Sequence, residues 1–164
     1  MSQLALYGIG IVFGFIAWGI VTAQYIWPEL VRRSRADALR PLLTMHCFRF
    51  IGLAFLVPGV VSPELSADFA RAAGYGDLIA AILAMLALAA GLNTRLGILL
   101  VWVFNLWGTA DLLYAFYQGN HVGLTPGQLG AAYFIVTALV PLLLITHGLV
   151  FRLLLRGSAG TTTT

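Results

Sequence analysis

Ionic chemistry in the interior of this chain rests on few residues. Arg49 stands in an apolar run from Pro41 to Val61, Asp77 follows Gly74-Tyr75-Gly76, and Asn105 and Asp111 share a later apolar run. On insertion scales an arginine at mid-bilayer costs roughly 2.5–3.5 kcal/mol unless it is paired or hydrated. Asp77 and Asp111 are the two carboxylates in other hydrophobic segments, so the pattern predicts that they meet Arg49. On one helix, Asn105 and Asp111 fall about 120° apart at 100° per residue, and both would border a groove floored by Gly108. Ionisable groups at such depth point by default to a binding or transport site, here built from Arg49, Asp77, Asn105 and Asp111. The competing reading is an ion pair that only fixes helix register.

His46 and His147 form a second set, each a few residues inside the same end of its span. Two imidazoles at matched depth would ligate a b-type haem axially or relay protons. Packed, hydrogen-bonded core histidines are the simpler alternative. Beyond haem, no cofactor is implied, and no thiolate metal site, phosphate loop or Ser-His-Asp set occurs. Pro141 removes a backbone donor and leaves the Thr137 carbonyl without its helical partner, so a kink there would set Tyr133, Thr137 and Thr146 along a cavity wall. The lone Cys47 reads as a small packing residue. Gly74-Tyr75-Gly76-Asp77 also resembles the GxGD motif of intramembrane aspartyl proteases, where two aspartates share a proton. Here Asp111 follows that motif instead of preceding it, and a positive Arg49 opposes a shared-proton pair. The alternative is that Gly74 and Gly76 open a helix with Asp77 near its N-terminus.

The elements that must position these groups are membrane helices. Of 164 residues, 60% are hydrophobic and 9% charged, against about a quarter charged in soluble domains. The net charge of +3 comes from arginines at segment ends, which speaks for topology and against nucleic-acid binding. Apolar runs predict an all-α fold: an integral membrane bundle of five antiparallel transmembrane helices over about 4–27, 41–61, 74–92, 95–118 and 127–154. Pro28 would close the first, and the Ala-rich third would be central. Residues 1–156 form one transmembrane domain, and 157–164 read as a disordered tail. The stop-transfer cluster Arg32, Arg33 and Arg35 marks the first run as a true span, not a signal peptide. Seven arginines fall on one side and Arg71 alone on the other, which places the N-terminus outside and the C-terminus in the cytoplasm. Gly10 and Gly14 make a GxxxG face for packing inside the chain or for a homo-oligomer, and the bilayer is the other expected partner.

Phe48-Arg49-Phe50-Ile51-Gly52-Leu53-Ala54-Phe55-Leu56, the Gly74–Asp77 phrase and Asn105-Leu106-Trp107-Gly108-Thr109-Ala110-Asp111 together resemble small uncharacterised bacterial inner-membrane proteins. The Arg-x-x-Gly-x-x-Phe-Leu phrase is similar to DoxX-like proteins, whose usual plan has four spans where this chain has five. The resemblance implies a bacterial cytoplasmic membrane and no particular activity. The residues themselves favour a small protein that binds or transports a small solute, a proton or a lipid-like ligand. The alternatives are a haem or quinone redox protein using His46 and His147, an accessory subunit or assembly factor of a membrane complex, and the GxGD-type protease.

Overall fold

Helices in this chain start at hydroxyl side chains. In the computed structural model, which describes residues 1–156, Ser2, Ser34, Ser66 and Thr94 each accept a hydrogen bond from the backbone N–H three residues on. That bond satisfies one of the first-turn donors a helix cannot pair internally. Each opens a long helix: α1 (Gln3–Val31), α2 (Arg35–Leu56), α3 (Ala67–Ala90) and α4 (Arg95–His121). Thr125 and Gln128 cap each other at a short 3-10 stretch, Pro126–Ala132, which leads into α5 (Ile135–Leu155). The fold is all-α, with no strand among the described residues, and these five helices are long and apolar enough to cross a membrane. The expected tail, 157–164, lies outside the described residues.

The helix boundaries correct the expected spans wherever a cap lies upstream of the apolar run. α2 starts at Arg35, not near 41, and α3 at Ala67, not near 74. Gly74 and Gly76 therefore do not open a helix; they lie inside α3, with Asp77 about three turns from its start. Pro28 does not close α1 either. A π turn over Thr22–Ile26 precedes it and the helix continues to Val31. Pro141 is handled in the same way, behind a π turn over Ile135–Leu139. The wider turn makes room for a proline ring against the preceding carbonyls.

Carbonyls loosened at the second π turn find partners on α1. The Trp18 indole donates to the Ala138 carbonyl at 2.8 Å. Gly14 lies so close on the Thr137 carbonyl that a Cβ there would collide with it, and Gly10 faces Tyr133 and Thr137. The Gly10/Gly14 face is thus covered by α5 of the same chain.

Two apolar cores stack along the bundle. One gathers Leu39, Leu43, Ala84, Val101, Phe104, Val150 and Leu153; the other gathers Phe55, Phe69, Ala73, Leu129 and Val136. The first core lies toward the arginine-rich end, where the Arg152 guanidinium sits 4.2 Å above the Trp27 ring. α3 packs along both α2 and α4 through small buried positions, among them Ala73, Gly76, Ala80, Ala84 and Ala87. Between the two cores runs a polar layer.

Candidate functional site

The second half of α2 winds as a 3-10 helix over Cys47–Leu56. At 3.0 residues per turn, positions three apart line up, whereas on an α-helix they drift by roughly 60° per step. His46, Arg49, Gly52 and Phe55 therefore form a single stripe, and it is the buried one. A 3-10 run this long is uncommon. Here it turns Arg49 and Gly52 toward α3 together.

Arg49 is 1% exposed, and acceptors surround its guanidinium. Nε donates to Asp77 Oδ1 at 2.7 Å, and Nη2 stands 2.6 Å from the same oxygen. Nη2 also donates to Asp111 Oδ2 at 2.7 Å. Nη1 donates to the Gly108 carbonyl at 3.3 Å and meets His147 Nε2 at 3.1 Å. These partners engage every guanidinium nitrogen, with α3, α4 and α5 each contributing.

The arginine also sets the state of the histidine. A guanidinium has no acceptor, so His147 Nε2 must offer its lone pair. Nδ1 then carries the hydrogen and donates to Asn105 Oδ1 at 2.7 Å, while Asn105 Nδ2 donates to the His147 carbonyl at 3.3 Å. The Thr146 hydroxyl donates to the carbonyls of Leu142 and Leu143, which leaves its oxygen to accept from His46 Nε2 at 3.0 Å. His46 Nδ1 has no hydrogen-bond partner among the described residues. The two imidazoles lie 4.3 Å apart, with Phe104 against both.

Three glycines make the close approach possible. A Cβ at Gly108 would fall 2.6 Å from Arg49 Nη1, one at Gly52 would collide with the Asp77 carboxylate, and one at Gly76 with the Asp111 carboxylate. Asp77 Oδ2 lies over Gly52 and Asp111 Oδ1 over Gly76, and neither oxygen makes a hydrogen bond among the described residues. The Trp107 indole donates to the Gly76 carbonyl at 3.3 Å, tying α4 to α3 beside this seat.

Both carboxylates border a cavity of about 230 Å³ walled by Tyr7, Phe55, Phe69, Leu112, Phe116 and Val136. It extends along α4 from Asn120 back to Asp111, nine residues, or about 13 Å at 1.5 Å per residue. Asp111 also reaches a second groove, on the outer face between α3 and α4, lined by Tyr75, Trp107 and Tyr114.

The structure brings Arg49, Asp77 and Asp111 into direct contact, and it places Asn105 one step back, fully buried, holding His147 instead of bordering the cavity. His46 and His147, expected as a separate set, join the arginine network. Axial haem ligation needs a macrocycle between two imidazoles, but these rings touch, and both His147 nitrogens are engaged. Thr137 and Tyr133 lie at the α1–α5 crossing: the Thr137 hydroxyl donates to the Tyr133 carbonyl, and the Tyr133 ring tilts against Tyr7 at 5.9 Å. Their neighbours Val136 and Val140 line the cavity in their place. Sequence reasoning missed His147 and the Gly108 carbonyl as arginine partners and Gly52 as a carboxylate seat. The signal for Gly52 was its spacing of three from Arg49. For Asp77 and Asp111, the shared-proton arrangement of a protease dyad is blocked by Arg49 Nη2, which stands between them.

Residues 6–155 match the family described as a domain of unknown function, DUF8737. No curated protein and no solved structure matches the chain. With the match covering all five helices, the chain belongs to the DUF8737 family.

Proposed function

We propose that this is a multi-pass protein of the bacterial cytoplasmic membrane that binds a small amphiphilic ligand in a cavity between its helices. The observation that carries this reading is the 230 Å³ cavity itself: apolar and aromatic walls leading to Asp77 and Asp111. Concave, mostly apolar sites with a few convergent polar groups are how proteins take small ligands. Arginine placement supports an antiparallel bundle with the C-terminus in the cytoplasm and the cavity in the outer half. Stacking of Arg152 on Trp27 agrees with one shared arginine-rich end.

Thermal unfolding in detergent with 4-phenylbutanol, a neutral amphiphile, tests the reading. At tenfold excess over Kd, stabilisation is RT ln(1 + [L]/Kd), about 1.4 kcal/mol, or about 3–6 °C in a chain of this size. The shift should saturate with concentration, and Ala73→Phe, which fills the cavity from its α3 wall, should remove it. An unsaturable shift, or the same shift in the filled variant, refutes the cavity as a ligand site.

A further inference from the structure

The structure assigns a charge preference to this cavity: we infer that its ligand is a monovalent organic ammonium, seated on Asp77 and Asp111 with its apolar body along the cavity. The inference rests on the amphiphile reading and deepens it. Three observations carry it.

The first is charge count. Arg49 supplies one positive charge to two carboxylates, and the hydrogen-bond pattern holds His147 as a neutral donor at Nδ1 and acceptor at Nε2. Asp77 and Asp111 ionised against one guanidinium leave a surplus of one negative charge, and no second cation lies in the polar layer among the described residues. The second is where the surplus sits. Arg49 is fully buried with every guanidinium nitrogen engaged and does not line the cavity, whereas Asp77 Oδ2 and Asp111 Oδ1 carry no hydrogen bond among the described residues and belong to side chains that border the cavity. Asp77 is 7% exposed, so its bare oxygen has little contact with water. Such an atom loses free energy until a donor arrives, and an ionised donor is the strongest kind. The third is the aromatic surround. Phe55, Phe69 and Phe116 line the cavity, and Tyr75, Trp107 and Tyr114 line the groove on the far side of Asp111. Aromatic faces attract an ammonium and also accept an apolar body. Arg71, at the rim of that groove, is paired with Asp68 at 2.7 Å, so its charge does not oppose a cation there.

An anion is disfavoured on the same grounds, because it would meet the surplus negative charge of two carboxylates beside an apolar cavity. A neutral alcohol can donate one hydrogen bond but leaves the surplus charge unmatched.

The experiment compares three head groups on one skeleton, 4-phenylbutylamine, 4-phenylbutanol and 4-phenylbutyrate, by thermal shift of the purified full chain in nonionic detergent. Each is read against Ala73→Phe to remove effects on the micelle. The amine should half-saturate at a concentration at least about tenfold below the alcohol, and the butyrate should give no cavity-dependent shift. Asp111→Asn removes the surplus charge while Asp77 still pairs Arg49, and it should bring amine and alcohol to within about threefold of each other. If the alcohol equals the amine in the parent chain, or the butyrate binds best, the ammonium assignment falls while the amphiphile pocket stands. If no probe gives a shift that Ala73→Phe removes, both fall together. The head-group comparison needs only the parent and the filled chain, so poor folding of Asp111→Asn would not rescue the inference.

Discussion

Replacing Arg49 by Met should be among the most damaging single changes available to this chain, and the damage should be reversible by removing its partners. Met keeps a long apolar stem but no charge, leaving Asp77 and Asp111, with side chains 9% and 10% exposed, facing each other without a cation. Breaking a buried ion pair by removing one partner costs about 3–5 kcal/mol. The opposite perturbation, Asp77→Asn with Asp111→Asn, strands a fully buried guanidinium and should cost a similar amount. Were the two effects independent, the triple variant would lose about 6–10 kcal/mol, enough to unfold a chain whose total stability is about 5–15 kcal/mol. The network predicts otherwise. With all three charges gone, the polar layer is neutral, and stability should return to within about 2 kcal/mol of the parent, because buried ion pairs exchange for neutral groups at little net cost. Chemical unfolding in mixed micelles, followed by tryptophan fluorescence, measures all three free energies. A triple variant that loses the sum of the separate losses would refute the coupling, and so would an Arg49→Met loss below about 1 kcal/mol.

Glycine variants test the seats of the carboxylates. Gly52→Ala and Gly108→Ala each push a Cβ into the Asp77 or Arg49 group and should lower stability by about 1–3 kcal/mol, read as a fall in thermal midpoint. Gly19→Ala, with nothing within 4 Å of its Cβ, should instead gain about 0.5–1 kcal/mol from helix propensity. Trp18→Phe should cost about 1 kcal/mol through the lost bond to the Ala138 carbonyl, with hydrogen exchange rising over residues 135–141. Pro141→Ala, which restores an N–H but not the crossing with Gly14, should change that exchange less than Trp18→Phe does.

Much of this was legible in the sequence because charge is scarce in it. With one arginine and two aspartates inside apolar runs, their meeting follows from cost alone. Counting the long apolar helices also succeeded, since uninterrupted apolar runs of this length have few other solutions. Boundaries failed where Ser34 and Ser66 start helices upstream of the apolar runs, leaving the polar first turns to be taken for loops. That error placed Asp77 at the start of its helix and toward the end of the bundle, when it lies well inside. The winding of the second half of α2 was not legible either. Ten residues of 3-10 helix, Cys47–Leu56, rise about 2.0 Å each instead of 1.5 Å. The merging of His147 with Arg49 was not legible at all, because it depends on which face of α5 follows a π turn at Ile135–Leu139, and nothing local in the sequence announces that turn except Pro141.

On the proposed reading, pairing and ligand binding fall to different atoms, which makes the two roles compatible. Arg49 is buried with each guanidinium nitrogen engaged, so its part is to hold: it fixes two carboxylates from α3 and α4 at one point and orients His147 on α5. For register alone, one aspartate would suffice. The second one brings a repulsion that Arg49 must offset and needs its own glycine, Gly76, to fit. What the second aspartate adds is an unbalanced carboxylate beside the cavity. Removal of Arg49 should then register first in stability, and removal of Asp111 first in which head group the cavity accepts. A chain in which Asp111→Asn unfolds the protein as severely as Arg49→Met would contradict that division of labour.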